Sequence, residues 1–166
     1  MDIRKLIELI EQWAIDRGLD KNGTVEGQLI KTSEEVAELI IGISKGNLKL
    51  IKDSIGDVFV TIVIGDLIEG NKTDLVEVIN DYYKYQANAR FEDKYECIQT
   101  LMLNYSDLLV DKTYSIAMHA KINTLIMVGE LYKLDLVDCV ETAYNEITDR
   151  KGRVINGTFV KEDDLI

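Results

Sequence analysis

The sequence predicts an all-α protein, a helical bundle that carries a small C-terminal β-hairpin. Its 166 residues include no proline, although average usage is about 5% and proline breaks helix interiors. Apolar residues recur at helical spacing almost throughout the chain. The exception is Asn156-Gly157, which lies between two short apolar runs and is typical of a hairpin turn. We expect one domain over residues 1–166, because this length suits a single core.

Start and stop signals divide the first part of the chain into three helices. The first runs from Ile3 to a stop at Gly18, and the polar residues 20–23 are predicted to form a loop. Thr24 is expected to cap a second helix, which Gly46-Asn47 ends. A third helix is expected from about Leu48 to Glu69, because its apolar residues continue one helical face through a β-branched run that could suggest a strand.

The remaining elements are predicted in the same way. Thr73 is expected to cap a helix from Asp74 to about Phe91. Helical patterns follow over about residues 94–110 and 114–132, and Asp135 opens another over residues 136–149. Residues 153–155 and 158–160 then form the two strands of the hairpin.

Charge and composition exclude several classes of function. The net charge of −11 repels phosphate backbones, so we expect no nucleic-acid partner. No apolar run approaches the roughly 20 residues that span a bilayer, and we expect no membrane association. Cys97 and Cys139 fit neither a disulfide framework nor a zinc site, so they are expected to be small buried residues in a cytoplasmic protein.

Two pairs of carboxylates form the strongest local signal. Glu35 and Glu38 are three residues apart on the second helix, and Asp53 and Asp57 are four apart on the third, so each pair shares a helix face. The break at Gly46-Asn47 allows the two helices to pack antiparallel and to bring the pairs to similar heights. Such an oxygen donor set suits Mg²⁺, with Mn²⁺ as a substitute. The alternative is that the four carboxylates are solvated helix faces. A di-iron bundle is excluded, because it needs two Glu-x-x-His motifs and His119 is the only histidine in the chain.

A third cluster spans residues 145–153 and contains Asn145, Asp149, Arg150 and Lys151. Its cations either cap the end of a helix or bind phosphate oxygens beside the acidic face. Trp13 and Gln28 are candidates for stacking on a base and hydrogen-bonding to it, although core packing or plain surface exposure is the simpler explanation of both residues.

The three clusters, in this order, resemble the MazG-like nucleotide pyrophosphohydrolases, which are all-α NTP pyrophosphatases. Glu35-Val-Ala-Glu38 matches the family's Glu-x-x-Glu motif, with Lys31 and Glu34 in flanking positions, and Asp57 matches the end of the second motif. Residues 145–162 are similar to the C-terminal part of phage-type members. The resemblance covers about residues 2–67 and 122–162, so about residues 68–121 are interpreted as inserted helices.

The resemblance implies that an NTP or dNTP is hydrolysed to the monophosphate and pyrophosphate. Glu35, Glu38, Asp57 and Asp53 would hold Mg²⁺, and Glu34 or Glu38 would orient or deprotonate the attacking water. The remaining candidates would bind substrate: Trp13, Gln28, Lys31, Asn145, Asp149, Arg150 and Lys151. Family members are commonly dimers or tetramers, so a homodimer or homotetramer is expected.

The chain departs from the family pattern at Ser54, where the family has Glu. Asp53 could supply the missing carboxylate with a shorter reach. This departure and the inserted helices leave a second interpretation open. The protein would then be a catalytically degenerate acidic helical module that acts by interaction or regulation.

Overall fold

The computed structural model describes residues 1–86 and 89–164. Most of its helices begin and end at the predicted start and stop signals. Helix α1 (Ile3–Asp16) begins at Asp2, whose carboxylate accepts a hydrogen bond from the Lys5 amide. Helix α3 (Val25–Lys45) begins at Thr24, whose hydroxyl accepts a hydrogen bond from the Gly27 amide. It ends at Gly46, whose φ of +64° is a conformation that glycine adopts at no steric cost.

Helix α4 (Leu48–Ile68) is the central element of the core. It begins at Asn47, and α3 and α4 pack closely as an antiparallel hairpin of helices. The β-branched run in its middle is helical, as predicted, and all of residues 58–66 are buried. Helix α8 (Leu136–Thr148), opened by Asp135, packs on α4 at Gly56, where a Cβ would overlap the carbonyl of Cys139.

Three expectations about local structure between residues 20 and 91 were wrong. Residues 20–23 are not a loop throughout, because Leu19–Asn22 forms a single helical turn, α2, that buries Leu19 in the core. The cap of the next helix, α5 (Leu75–Asp81), is Asp74 rather than Thr73, and its carboxylate accepts from the Glu77 amide. The helix predicted to reach Phe91 continues only as a π-helical turn, Tyr82–Gln86. Residues 87 and 88 lie outside the described residues, and Phe91 is buried without being helical.

The middle of the chain adds two long helices, α6 (Lys94–Asp111) and α7 (Met118–Tyr132). Helix α7 begins four residues later than predicted, because Tyr114 leaves the helix to fill a buried position against Gly65 of α4. The Tyr114 hydroxyl lies 2.7 Å from the Thr32 hydroxyl, and the Glu69 carboxylate accepts hydrogen bonds from the Tyr114 and Ser115 amides. The middle segment is therefore packed onto α3 and α4.

The C-terminal hairpin pairs β1 (Gly152–Ile155) with β2 (Thr158–Lys161) in antiparallel register, with Arg153 opposite Val160. Asn156 and Gly157 have φ values of +50° and +84°, as a type I′ turn requires. The hairpin docks on the start of α3, where the Thr24 amide donates to the Gly157 carbonyl over 3.0 Å. The described residues therefore form a helical bundle with one small two-stranded sheet.

Cys97 and Cys139 are both free and buried, as expected. Burial raises the pKa of each thiol to about 12. Across the ranges described, no helix combines the length and the apolar character needed to cross a bilayer.

Candidate functional site

A cavity of about 300 Å³ lies where α1, α3, α4, the end of α8 and the hairpin meet. Its apolar wall comes from five different elements and consists of Trp13, Leu19, Val60, Ile64, Ile147 and Phe159. Its charged wall consists of Lys31, Glu34, Glu35, Asp57, Arg150, Lys161 and Asp164. An apolar cleft with a few convergent charged groups is the usual form of a small-molecule site.

The α3 side of the charged wall is organised by Lys31. Its ammonium group lies 2.9 Å from a carboxylate oxygen of Glu34 and 2.9 Å from one of Glu35. Burial alone would lower the pKa of Lys31, but its hydrogen bonds to the two carboxylates outweigh burial and raise that pKa above its ordinary value. Glu35 is buried, whereas Glu34 is exposed at the cavity mouth. The Lys31 charge therefore partly neutralises a carboxylate that is removed from water.

Asp57 faces this group from α4. Burial and the negative charge of Glu35 raise the pKa of Asp57 to about 7, and Arg150 opposes that rise. Glu146 and Glu38 raise it further, so Glu38 lies within electrostatic reach although it is exposed and does not line the cavity. The predicted convergence of the Glu35–Glu38 pair with Asp57 is thus present in the fold.

The chemistry of this cluster fits a divalent cation that prefers oxygen ligands. Repulsion from Glu35 and Glu38 raises the pKa of Asp57, and a bound cation would reverse that penalty. Among residues 1–86 and 89–164, no three His, Cys, Asp or Glu side chains already form a metal-binding group. The carboxylates would therefore have to close around a cation on binding.

The predicted fourth carboxylate lies elsewhere. Asp53 does not line the cavity, and its charge acts on the thiol of Cys139 in α8. Ser54 is buried, and its hydroxyl has no hydrogen-bond partner among the residues that the structure describes. The position at which the resembling family has a Glu is therefore inside the protein and holds a short polar side chain.

Trp13 and Gln28 are both buried at the cavity wall. The Trp13 indole N–H donates to the Ile147 carbonyl over 2.7 Å, and its ring meets Phe159 edge to face at 5.2 Å. The Gln28 amide N–H donates to the Thr61 carbonyl over 3.1 Å. Both side chains therefore pack and hydrogen-bond within the protein while they contribute to the wall.

The basic cluster is divided between two surfaces. Arg150 lines the main cavity, whereas Asp149 and Lys151 lie with it around an adjacent hollow that Lys161 also borders. Asn145 is exposed on α8 and lines neither surface.

Sequence reasoning missed three residues that matter at this site. Lys161 and Phe159 reach the cavity because the hairpin docks on α3, and the strand pattern alone does not show on what the hairpin packs. Arg17 stacks over Trp13 at 4.3 Å, and it donates hydrogen bonds to the carbonyls of Thr148 and Arg150. No sequence motif marks Arg17, because its hydrogen bonds to Thr148 and Arg150 depend on the tertiary fold.

Fold and site together define a helical-bundle protein with a charged, apolar-walled cavity. Comparison with known proteins found a relative, an uncharacterized 18.2 kDa protein in the rep-hol intergenic region of Haemophilus phage HP1 (strain HP1c1). The two are 33% identical over 163 aligned positions, and the match takes in 86% of this chain and 98% of the relative. The chain belongs to the same family as this phage protein. No protein-family profile matches the chain, and no solved structure matches it.

Proposed function

We propose that the protein is a Mg²⁺-dependent nucleotide pyrophosphohydrolase of the MazG-like type, which cleaves an NTP or dNTP between the α and β phosphates. One observation carries this proposal. The cavity combines a buried carboxylate of α3, Glu35, and a half-buried carboxylate of α4, Asp57, with cations and an aromatic wall. Each of the three groups suits a different part of a nucleoside triphosphate.

The cations suit the phosphates. Arg150 and Lys161 lie on the hairpin side of the cavity, and Lys31 lies on α3. Guanidinium and ammonium groups bind phosphate oxygens and stabilise negative charge on a leaving pyrophosphate. Lys31 would have to exchange one of its carboxylate partners for a phosphate oxygen as substrate binds.

The carboxylates suit the hydrolytic step. Glu35, Glu38 and Asp57 would hold Mg²⁺, which when bound supplies charge neutralisation for the phosphates and lowers the pKa of water. Glu34 lines the cavity and is the nearer candidate to accept a proton from the attacking water, and Glu38 is the other candidate. Water then adds at the α-phosphorus, and the bond from that phosphorus to the bridging oxygen breaks to release pyrophosphate.

The apolar wall suits the base and sugar. A volume of about 300 Å³ is at the lower end of ligand pockets, so the triphosphate would extend toward the charged mouth. Free, buried thiols are consistent with a cytoplasmic enzyme, and we propose that compartment.

The test is release of pyrophosphate from a panel of NTPs and dNTPs, with Mg²⁺ or with EDTA. We expect Mg²⁺-dependent release from some of the panel, and the pattern of release gives the base preference. Glu35→Gln should abolish release, whereas Asp107→Asn, at an exposed carboxylate of α6, should leave it unchanged. Equal release with Mg²⁺ and with EDTA, or from both variants, would contradict the proposal.

A second candidate function rests on Ser54. The buried hydroxyl without a partner takes the place of a ligand in the resembling family, which favours a degenerate module that acts through protein contacts. Absence of pyrophosphate release from every nucleotide, by folded protein that binds Mg²⁺, would support this candidate over the enzyme.

A further inference from the structure

Helix α6 carries a broad uncharged face that points away from the protein. Its members are apolar or neutral polar. They cover an arc of about 120° around the helix axis, since each residue turns the helix by about 100°. The face consists of Tyr95, Gln99, Met102, Leu103, Ser106, Leu109 and Val110, all of them exposed. The five apolar side chains are between 50% and 77% exposed. We call this set the outer face of α6.

The outer face is not needed for the core of the protein. The opposite side of α6 buries Cys97, Leu101, Tyr105 and Leu108, and it packs on α3 and α7. A helix with one buried apolar stripe normally carries charged residues on its other side. An apolar second side is instead typical of a surface that another molecule covers.

The spacing within the outer face indicates what kind of molecule that is. Tyr95, Gln99, Met102, Ser106 and Leu109 follow one another at intervals of four, three, four and three residues. These intervals form a heptad seam, which matches the seam of another helix. Because Tyr95, Met102 and Leu109 occupy the equivalent apolar positions, the seam is complementary to itself.

Charge also favours a second copy of the chain. The net charge of −11 opposes close approach of two copies over most of their surfaces. The outer face has no charged member, and Glu96 and Asp107 lie beside it at one edge only. Two outer faces can therefore meet with no charged side chain inside the contact, and the acidic edge stays at its solvent-exposed rim.

The size of the face suits a reversible dimer. Its five apolar side chains expose on the order of 700 Å², close to the about 800 Å² per partner that a standard interface buries. We propose that two copies of the chain pair through the outer faces of α6, with a two-fold axis near Met102. This proposal is independent of the hydrolase proposal, because neither the surface nor its test involves substrate.

The first experiment measures molar mass by sedimentation at protein concentrations up to about 100 μM, a hundredfold above a micromolar Kd. The wild-type chain should approach twice its mass of 18.9 kDa. Met102→Glu/Leu109→Glu should remain monomeric with unchanged helical circular dichroism, because both side chains are exposed. Ile41→Glu/Leu48→Glu adds the same charge at two exposed positions outside α6 and should dimerise like the wild type.

A second experiment locates the two-fold axis. Met102→Cys should form a covalent dimer under mild oxidation, whereas the exposed control Ile41→Cys should not. Cys97 and Cys139 are buried and should not compete. A wild-type chain that stays monomeric at the highest concentration overturns the proposal. So does a dimer that survives Met102→Glu/Leu109→Glu, or the absence of a cross-link through position 102.

Discussion

Two regions of the protein depart in opposite ways from the rule that apolar side chains are buried and charged side chains are exposed. One is the region around the cavity, and the other is the middle segment, which consists of helices α5 to α7. Around the cavity, charged side chains are withdrawn from water, since Glu35 is buried and Asp57 is half-buried. In the middle segment, apolar side chains such as Met102 and Val110 face water. Buried like charges lower the stability of the fold and are typical of ligand sites, whereas exposed apolar faces are typical of interfaces. The contrast is what we expect of a chain that keeps the proposed ligand site and the proposed assembly surface apart.

Lys121 is an exception to this contrast, because it is a buried charged residue outside the cavity region. It lies in the middle segment, yet it is almost completely buried, and its ammonium group donates to the Ile116 carbonyl. Burial lowers the pKa of Lys121, and the negative charges of Asp107, Asp111 and Glu69 oppose that shift. Its hydrogen bond stabilises the bend before α7, and the side chain lines neither the main cavity nor the adjacent hollow.

The largest effect is expected from Asp57→Asn. This variant tests whether the Asp57 charge is needed for activity although it lowers the stability of the fold. Loss of a metal-ligand carboxylate should lower kcat for pyrophosphate release at least about 100-fold. In EDTA at pH 8 the same variant should gain about 2 kcal/mol of stability, or roughly 4–8 °C in Tm, because it removes a charged form that the fold disfavours.

The sign of that gain depends on pH. The folded pKa of Asp57, about 7, lies above the unfolded value of 3.8, so its penalty is absent below pH 4 and complete above pH 7. The difference in Tm between wild type and Asp57→Asn should therefore shrink as pH falls from 8 to 4. Thermal melts over that range measure it, and a variant that loses both activity and Tm would assign Asp57 a structural role instead.

Gly65→Ala should break the attachment of the middle segment to the bundle. A Cβ at position 65 would overlap the buried ring of Tyr114, whose hydroxyl contacts Thr32. Overpacking of this kind costs about 3 kcal/mol, which denaturant melts would report as a lower midpoint. Ser44→Ala, at an exposed position of α3, should change stability by less than about 0.5 kcal/mol. Equal stability of the two variants would show that the segment does not depend on this contact.

Arg17→Gln should lower the stability of the region around the cavity without affecting the middle segment. The change removes hydrogen bonds to the Thr148 and Arg150 carbonyls and the stacking over Trp13, which together contribute about 2 kcal/mol. Because Arg17 holds the backbone that carries Arg150, KM for the nucleotide should rise more than kcat falls. Arg4→Gln, at an exposed arginine of α1, is the matched control. Identical melting curves and kinetics for the two variants would exclude a positioning role for Arg17.

The smallest effect is expected at Asp93, whose carboxylate caps α6 by accepting hydrogen bonds from the Tyr95 and Glu96 amides. Asp93→Ala should cost about 1 kcal/mol. Hydrogen exchange should become faster in the first turn of α6 and stay unchanged in α3. Faster exchange in both helices would mean that the two regions unfold together rather than separately.

Local signals account for what the sequence predicted well. Thr24 and Asp135 cap helices where expected, because a cap depends only on its own backbone neighbours. Lys31, Glu35 and Asp57 meet because a short turn at Gly46 makes two consecutive helices antiparallel. The outcome at Tyr114 depends instead on a distant partner. Tyr114 leaves its predicted helix because the space beside Gly65, far away in sequence, accepts its ring.

The same distinction separates the site residues. Spacing on one helix predicts which carboxylates share a face, but it does not predict the rotation of that face against a third helix. The negative charge of Asp53 therefore raises the pKa of the Cys139 thiol in α8, whereas Asp57, four residues further along α4, faces the cavity. Lys161 and Arg17 could not be predicted, because their positions require the hairpin and α8 to dock first.

The docked hairpin also has a consequence for synthesis of the protein on the ribosome. Trp13 and Phe159 touch across the cavity although almost the whole chain separates them, and Thr24 holds the turn of the hairpin through Gly157. A nascent chain can fold α3 against α4 early, but it has no complete binding wall until β2 has left the exit tunnel. Chains truncated before Thr158 lack Phe159, so the cavity wall is complete only after the hairpin has docked.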